Sequence, residues 1–105
     1  MSERRAIESP IPIGKGFARP FNATIPASWG APTGAPTLTI LEHPEKMDVT
    51  ATTTSGANSI AAQVITTKSV LRSGMTVGKQ YEAILEFPLV GGGVDSCDWL
   101  IDCED

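Results

Sequence analysis

Apolar and polar residues alternate most regularly in the last quarter of the chain. Tyr81, Ala83, Leu85 and Phe87 fall on one side of a two-residue repeat, with Glu82 and Glu86 on the other. This is the pattern of a strand buried on one face. Pro88 to Gly93 interrupts it with three consecutive glycines. From Val94 the alternation resumes, Cys97, Trp99, Ile101 and Cys103 facing one way and Asp98, Leu100 and Asp102 the other. Two strands of matching length around a glycine-rich loop predict a hairpin, with Leu85, Phe87 and Trp99 as core anchors.

Upstream the signals are shorter. Thr37 to Glu42 is rich in β-formers and stops before His43-Pro44. Met47, Val49 and Ala51 alternate with Asp48, Thr50 and Thr52, predicting a further strand that ends before the turn cluster Ser55-Gly56-Ala57-Asn58. Residues 60–72 fit either a strand or a helix capped at Asn58 or Ser59 and ended by Gly74. Their β-branched Ile60, Val64, Ile65, Thr66, Thr67 and Val70 favour the strand.

Seven of the eight prolines lie in the first 44 residues. Ser9-Pro10-Ile11-Pro12-Ile13 cannot be helix interior, because proline lacks the donor and pushes its predecessor to extended angles. Residues 1–14 are therefore expected as an extended arm and residues 15–105 as the domain. Phe17 to Ile25 reads as an edge strand, the position that tolerates Pro20, and residues 26–36 as a loop around Trp29.

Composition narrows the function classes. The 105 residues suit one small domain, and Thr, Gly and Pro outweigh the two Trp, one Tyr and one His. A net charge of −4 argues against a nucleic-acid binder, which presents a clustered basic surface. No apolar run approaches the roughly 18 residues of a membrane span, and no secretory h-region follows Met1-Ser-Glu-Arg-Arg. Charge comes in blocks: residues 20–41 and 49–67 carry none. The first 19 residues are slightly basic, and no Lys or Arg follows Lys79. Ends of opposite sign suit pairing within a subunit or between neighbours.

Candidate chemistry is sparse. Gly74 to Gln80 mimics a phosphate loop but is one residue short between its glycines and has Gln80 where Ser or Thr would reach magnesium. His43, in an apparent loop before Pro44, lacks the support a catalytic triad requires. Asp95, Asp98, Asp102, Glu104 and Asp105 lack the EF-hand pattern and read as a solvated acidic edge. Asn22-Ala-Thr24 is a formal glycosylation triplet without a visible secretory route. Cys97 and Cys103, six residues apart on one strand, are separated by about 20 Å, whereas a disulfide needs Cα atoms within about 7 Å. They are expected as unbridged thiols or as bonds to a neighbouring subunit. No catalytic residue, metal or cofactor is expected.

The most specific local signal is Leu71-Arg-Ser-Gly-Met-Thr-Val-Gly-Lys-Gln-Tyr81. An apolar strand end, Gly74, Gly78 and then Tyr81 opening the next strand is the spacing of a tyrosine corner, where the hydroxyl bonds back to the preceding connection. Together with Val64 to Phe87 and the final strand, this segment resembles a small Ig-like β-sandwich protein of tailed bacteriophages and prophages. Ser73-Gly74, Gly78 and Tyr81 match its corner, Gly91 to Gly93 its turn and Asp95 to Asp102 its final strand. The resemblance covers about residues 37–105. Fibronectin type III modules have a similar corner, Met75 replaces a frequent second glycine, and the proline-rich first third matches poorly.

The expectation is an all-β protein: a single small Ig-like antiparallel β-sandwich with an extended Pro-rich N-terminal arm. The resemblance implies a non-enzymatic virion component, made in the bacterial host cytoplasm and placed at the capsid surface, the neck or the tail. Its partners would be other virion proteins and copies of itself, with no nucleic acid and no membrane. Ile11, Ile13, Phe17 and Phe21 are the candidate assembly contacts, laid into neighbours' grooves or joined by β-augmentation at an unpaired edge. The alternative is a fibronectin-like adhesion module that binds carbohydrate or a host surface.

Overall fold

The computed structural model describes residues 11–104. The predicted hairpin is its centre. β10 (Gln80–Pro88) and β11 (Val94–Cys103) pair antiparallel without a break, from Gln80 opposite Asp102 to Pro88 opposite Val94. Their inward alternation places Tyr81, Ala83, Leu85, Phe87, Cys97, Trp99, Ile101 and Cys103 in the core.

β4 (Thr37–Glu42) lies on the other side of β10, and the two-residue β5 (Met47–Asp48) closes that edge. At the opposite edge β1 (Ile11–Ile13) runs parallel to β11, Ile13 facing Cys103. The first sheet thus has the order β1-β11-β10-β4-β5.

The second layer is one three-stranded arrangement broken across its middle. β2 (Ala18–Arg19), β9 (Ser69–Leu71) and β6 (Thr54–Ser55) form one half, in the order β2-β9-β6. β3 (Asn22–Thr24), β8 (Val64–Thr66) and β7 (Ser59–Ala61) form the other, in the order β3-β8-β7. The break falls where Pro20 removes a ladder donor. There the side chain of the buried Thr67 takes over: its Oγ1 accepts from the Phe21 amide at 2.9 Å, and the Thr67 amide donates to the Phe21 carbonyl at 2.9 Å.

With the broken strands joined, the layers carry the Ig strand order: B-E-D on one side, and G-F-C-C′ on the other with a short strand parallel to G. The protein is an all-β sandwich. Phe21 meets Trp99 edge-on at 5.5 Å between ring centroids and stacks on Phe17 at 5.7 Å, so an aromatic group joins the layers.

Four expectations need correction. Residues 11–13 are not free arm: Ile13 is only 2% exposed, so the sandwich begins by Ile11 and not at residue 15. An edge strand pairs on one side only, which lets Pro12 sit in it. Residues 1–10, the rest of the expected arm, lie outside the described residues. The sheet pairing is not wholly antiparallel, because β1 follows β11 in parallel.

Residues 47–53 do not continue as a strand past Asp48. Asp48 Oδ1 accepts from both the Thr50 amide (3.0 Å) and the Thr50 hydroxyl (2.7 Å), turning the chain into a single helical turn, α1 (Thr50–Thr53). Thr53 and Thr54 then bond the carbonyls four residues back, a local bonding option that competes with a sheet ladder. Residues 60–72 are built from strands, as favoured, but in pieces: the chain folds back at Ala62-Gln63 into the hairpin β7–β8, Ala61 opposite Val64, and β9 ends at Leu71 before a turn at Arg72–Gly74.

Candidate functional site

The tyrosine corner forms as its spacing requires. Tyr81 is fully buried, and its hydroxyl oxygen accepts from the Thr76 amide at 2.7 Å. The same hydroxyl donates to Glu42 Oε2 at 2.7 Å, and Lys79 Nζ lies 3.3 Å from Glu42 Oε1. Glu42 comes from the end of β4, so the corner ties the β9–β10 connection to the neighbouring strand.

The hydrogen bond from Tyr81 holds the Glu42 carboxyl below its ordinary value of 4.5, with Lys79 acting in the same direction. Burial pushes the Tyr81 phenol up, helped by its donation to Glu42. Lys79 is raised by its bond to Glu42.

The two corner glycines serve different purposes. Gly78 has φ +87°, the left-handed region that disfavours a side chain, with open space around it. At Gly74 a Cβ would fall on the Thr52 carbonyl oxygen, so glycine is needed there for the close approach of α1.

The expected assembly contacts fare differently. Ile13 is core, and Ile11, Phe17 and Phe21 pack against it partly buried. Ile13 thus serves the inside of the domain, while Ile11, Phe17 and Phe21 keep part of their surface outside it. β-augmentation meets short edges, since β5 has two residues and the β6/β7 edge is broken between Ser55 and Ser59.

Cys97 and Cys103 are both buried and unbridged. Both thiols are covered within the folded domain. The expected solvated acidic edge is corrected in part: Asp95 and Asp98 are each only 6% exposed, whereas Glu104 is exposed and Asp105 lies outside the described residues. Asp95 faces inward opposite Phe87, with Oδ1 accepting from the Ser96 amide at 2.8 Å. Asp102 accepts from Gln80 Nε2 at 2.9 Å.

His43 Nε2 stands 3.3 Å from Glu82 Oε1 on the flank of the sheet. Asn22 Oδ1 accepts from the Thr66 hydroxyl at 2.8 Å. Among the described residues no three His, Cys, Asp or Glu side chains converge as a metal site, and no helix is long and apolar enough to cross a membrane. Arg72 Nε and Nη2 donate to the Glu104 backbone carbonyl at 3.2 and 3.0 Å, which ties the C-terminal end to the 72–79 connection.

The two ends of the sandwich differ chemically. One gathers residues 14–17, 43–46, 72–79 and the C-terminal turn, joined by bonds such as Arg72 N–H to the Phe17 carbonyl and Gly78 N–H to the Cys103 carbonyl. It carries Lys15, Glu45, Lys46, Arg72, Lys79 and Glu104. The other gathers residues 25–36, 61–64 and 87–94, which contain no charged residue.

These three uncharged segments are locked together. Thr33 N–H donates to the Pro88 carbonyl (2.9 Å) and Val90 N–H to the Ala31 carbonyl (2.9 Å), flanking a bridge between Pro32 and Leu89. Gln63 reaches across from the β7–β8 turn, its Nε2 donating to the Ile25 carbonyl (2.9 Å) and the Gly30 carbonyl (3.2 Å). On this scaffold Val90 is 69% exposed and Val94 50%. Neither valine stood out as a candidate in the sequence. The available signal was the lack of charge in residues 20–41 and 49–67, of which the fold brings residues 25–36 and 61–64 to one end together with residues 87–94.

Comparison of the chain with family models, with curated proteins and with solved structures gave no match.

Proposed function

We propose that the chain is a non-enzymatic structural protein of a tailed-bacteriophage virion, a rigid Ig-like unit that docks in multiple copies on a larger assembly at the capsid surface, the neck or the tail. Its partners are other virion proteins and copies of itself, and it contacts neither nucleic acid nor membrane. It is made in the cytoplasm of the host. The observation that carries this reading is the tyrosine corner, with Tyr81 bonded to the Thr76 amide inside the Ig strand order. Those are the residues on which the resemblance to the phage sandwich proteins rests.

Its polar side chains support a scaffold role. Glu42, Tyr81 and Lys79 serve the corner, and Asp48 shapes the turn into α1. The net charge of −4 speaks against a nucleic-acid partner. Residues 1–10, with Arg4 and Arg5, precede β1, so a deletion that tests them must stop before Ile11.

The test is co-sedimentation of the purified protein with particles of the phage or prophage that encodes it, prepared from a strain lacking the gene. Binding in several copies per particle is expected. A protein that stays in the supernatant and instead binds glycans sinks the reading.

A further inference from the structure

We infer that the uncharged end is the docking end, and that Val90 and Val94 seat in an uncharged, apolar depression on the partner protein. The inference rests on the virion reading and names the surface and the chemistry that reading leaves open.

Chemistry selects the partner. Among the described residues the three segments at this end offer no charged side chain and Asp95, next to Val94, is nearly buried, while exposed Glu86 and half-buried Lys68 border the end from the strands behind it. A charged partner surface would lose solvation against the hairpin tip, residues 88–94, without gaining a counter-charge from it. The opposite end, with Lys15, Arg72 and Lys79, is the one suited to charged surfaces.

Shape selects the mode. The molecule measures 41 × 24 × 22 Å. Seen end-on its cross-section is on the order of 500 Å², short of the roughly 800 Å² per partner that a stable pair of flat faces buries. A second copy meeting this end face to face is therefore a poor occupant. The convex hairpin tip buries more when it enters a concavity, and Val90 and Val94, flanking three glycines, are the side chains that would fill it.

Rigidity makes so small a footprint usable. The bonds from Thr33, Val90 and Gln63 fix the loops before any partner arrives, so less conformational entropy is lost on docking.

The experiment is the same co-sedimentation, with protein-free particles as the probe and three chains compared: wild type, the double variant Val90→Asp/Val94→Asp, and Val77→Asp. Val77 is a matched control, an exposed valine at the charged end. Val90→Ser serves as a milder second variant, and thermal melts verify that all variants fold.

Wild type and Val77→Asp should pellet equally, and the double variant should bind about tenfold to a hundredfold more weakly, as for truncation of a hot spot. A double variant that pellets like wild type overturns this inference and leaves the virion reading standing. Wild type that fails to pellet overturns both. Pelleting with phosphatidylcholine vesicles in place of particles, or a Val90-dependent dimer by light scattering, also overturns it.

Discussion

Along β10 and β11 the ladder runs from Gln80 opposite Asp102 to Pro88 opposite Val94, and β4 extends it from Tyr81 to Glu86. In the facing layer no ladder exceeds three residues, and both outer strands are interrupted. The first layer is held mainly by burial: alternate side chains of two long strands enter the core, and the backbone ladder between them is continuous. The second is held by particular polar contacts. The Thr67 hydroxyl bridges the break at Pro20, and Asn58 clamps both sides of its turn, donating to the Pro36 carbonyl and accepting from the Lys68 amide. A layer with little apolar surface per strand depends on each such contact.

The largest test of this contrast is Trp99→Ala. Trp99 is fully buried on β11 and meets Phe21 of the second layer edge-on. The substitution should cost about 3–5 kcal/mol and melt both layers in one transition by denaturant titration. A second-layer transition unmoved by it would break the picture of a shared core. Trp99→Phe should cost much less, because the indole N–H it removes has no hydrogen-bond partner among the described residues.

Next comes Thr67→Val, nearly the same size but without the acceptor for the Phe21 amide. A buried amide left unpaired should cost about 1–3 kcal/mol. Hydrogen exchange should quicken at Phe21 and its neighbours while amides of β10 and β11 keep their relative protection. Uniform loosening of both layers would show that the break is not held by this one hydroxyl.

The same contrast explains what could be read in the sequence. β10 and β11 were legible because a long two-residue repeat has few other meanings, β4 because Thr37 to Glu42 is rich in β-formers and stops before His43-Pro44, and the corner because Gly78 and Tyr81 lie within one short segment. β1 was hidden by Pro12, which marks an arm as readily as an edge strand. The helical turn at Thr50 was hidden because Met47 to Thr52 alternates like a strand, while the deciding contact is a side-chain bond from Asp48. The turn at Ala62-Gln63 has no turn-forming residue. The uncharged end is assembled from three segments far apart in the chain, and only their lack of charge was visible beforehand.

The corner also links the layers to pH. Glu42 and Asp48 both have folded-state pKa values below their ordinary ones, Glu42 chiefly through Tyr81 and Asp48 through the Thr50 hydroxyl and amide. A depressed carboxyl contributes stability above its unfolded pKa and loses it as pH falls through the folded value. Tyr81 and Lys79 are raised, so their contribution is present below their unfolded values and lost as pH rises through the folded ones. Thermal melts should therefore fall on the acid side of the carboxylate range and again on the alkaline side of about pH 10. Glu42→Gln should flatten the Glu42 share of the acid limb, and an unchanged limb would place the acid sensitivity elsewhere.

The smallest expected effect is also the one of opposite sign. Ala62 has φ +55° in the two-residue turn between β7 and β8, a conformation in which its Cβ is strained. Glycine removes that strain but adds conformational freedom to the unfolded chain. The balance for Ala62→Gly is a gain of about 0.5 kcal/mol, visible as a small rise in the denaturation midpoint. The turn carries Gln63, whose amide spans the uncharged end, so tightening it should also slow exchange of the Ile25 amide, which donates to the Gln63 carbonyl at 2.7 Å. Stabilisation by relieving one backbone angle fits a layer limited by local geometry. A loss of stability at this site would mean that its weakness lies in missing side-chain burial.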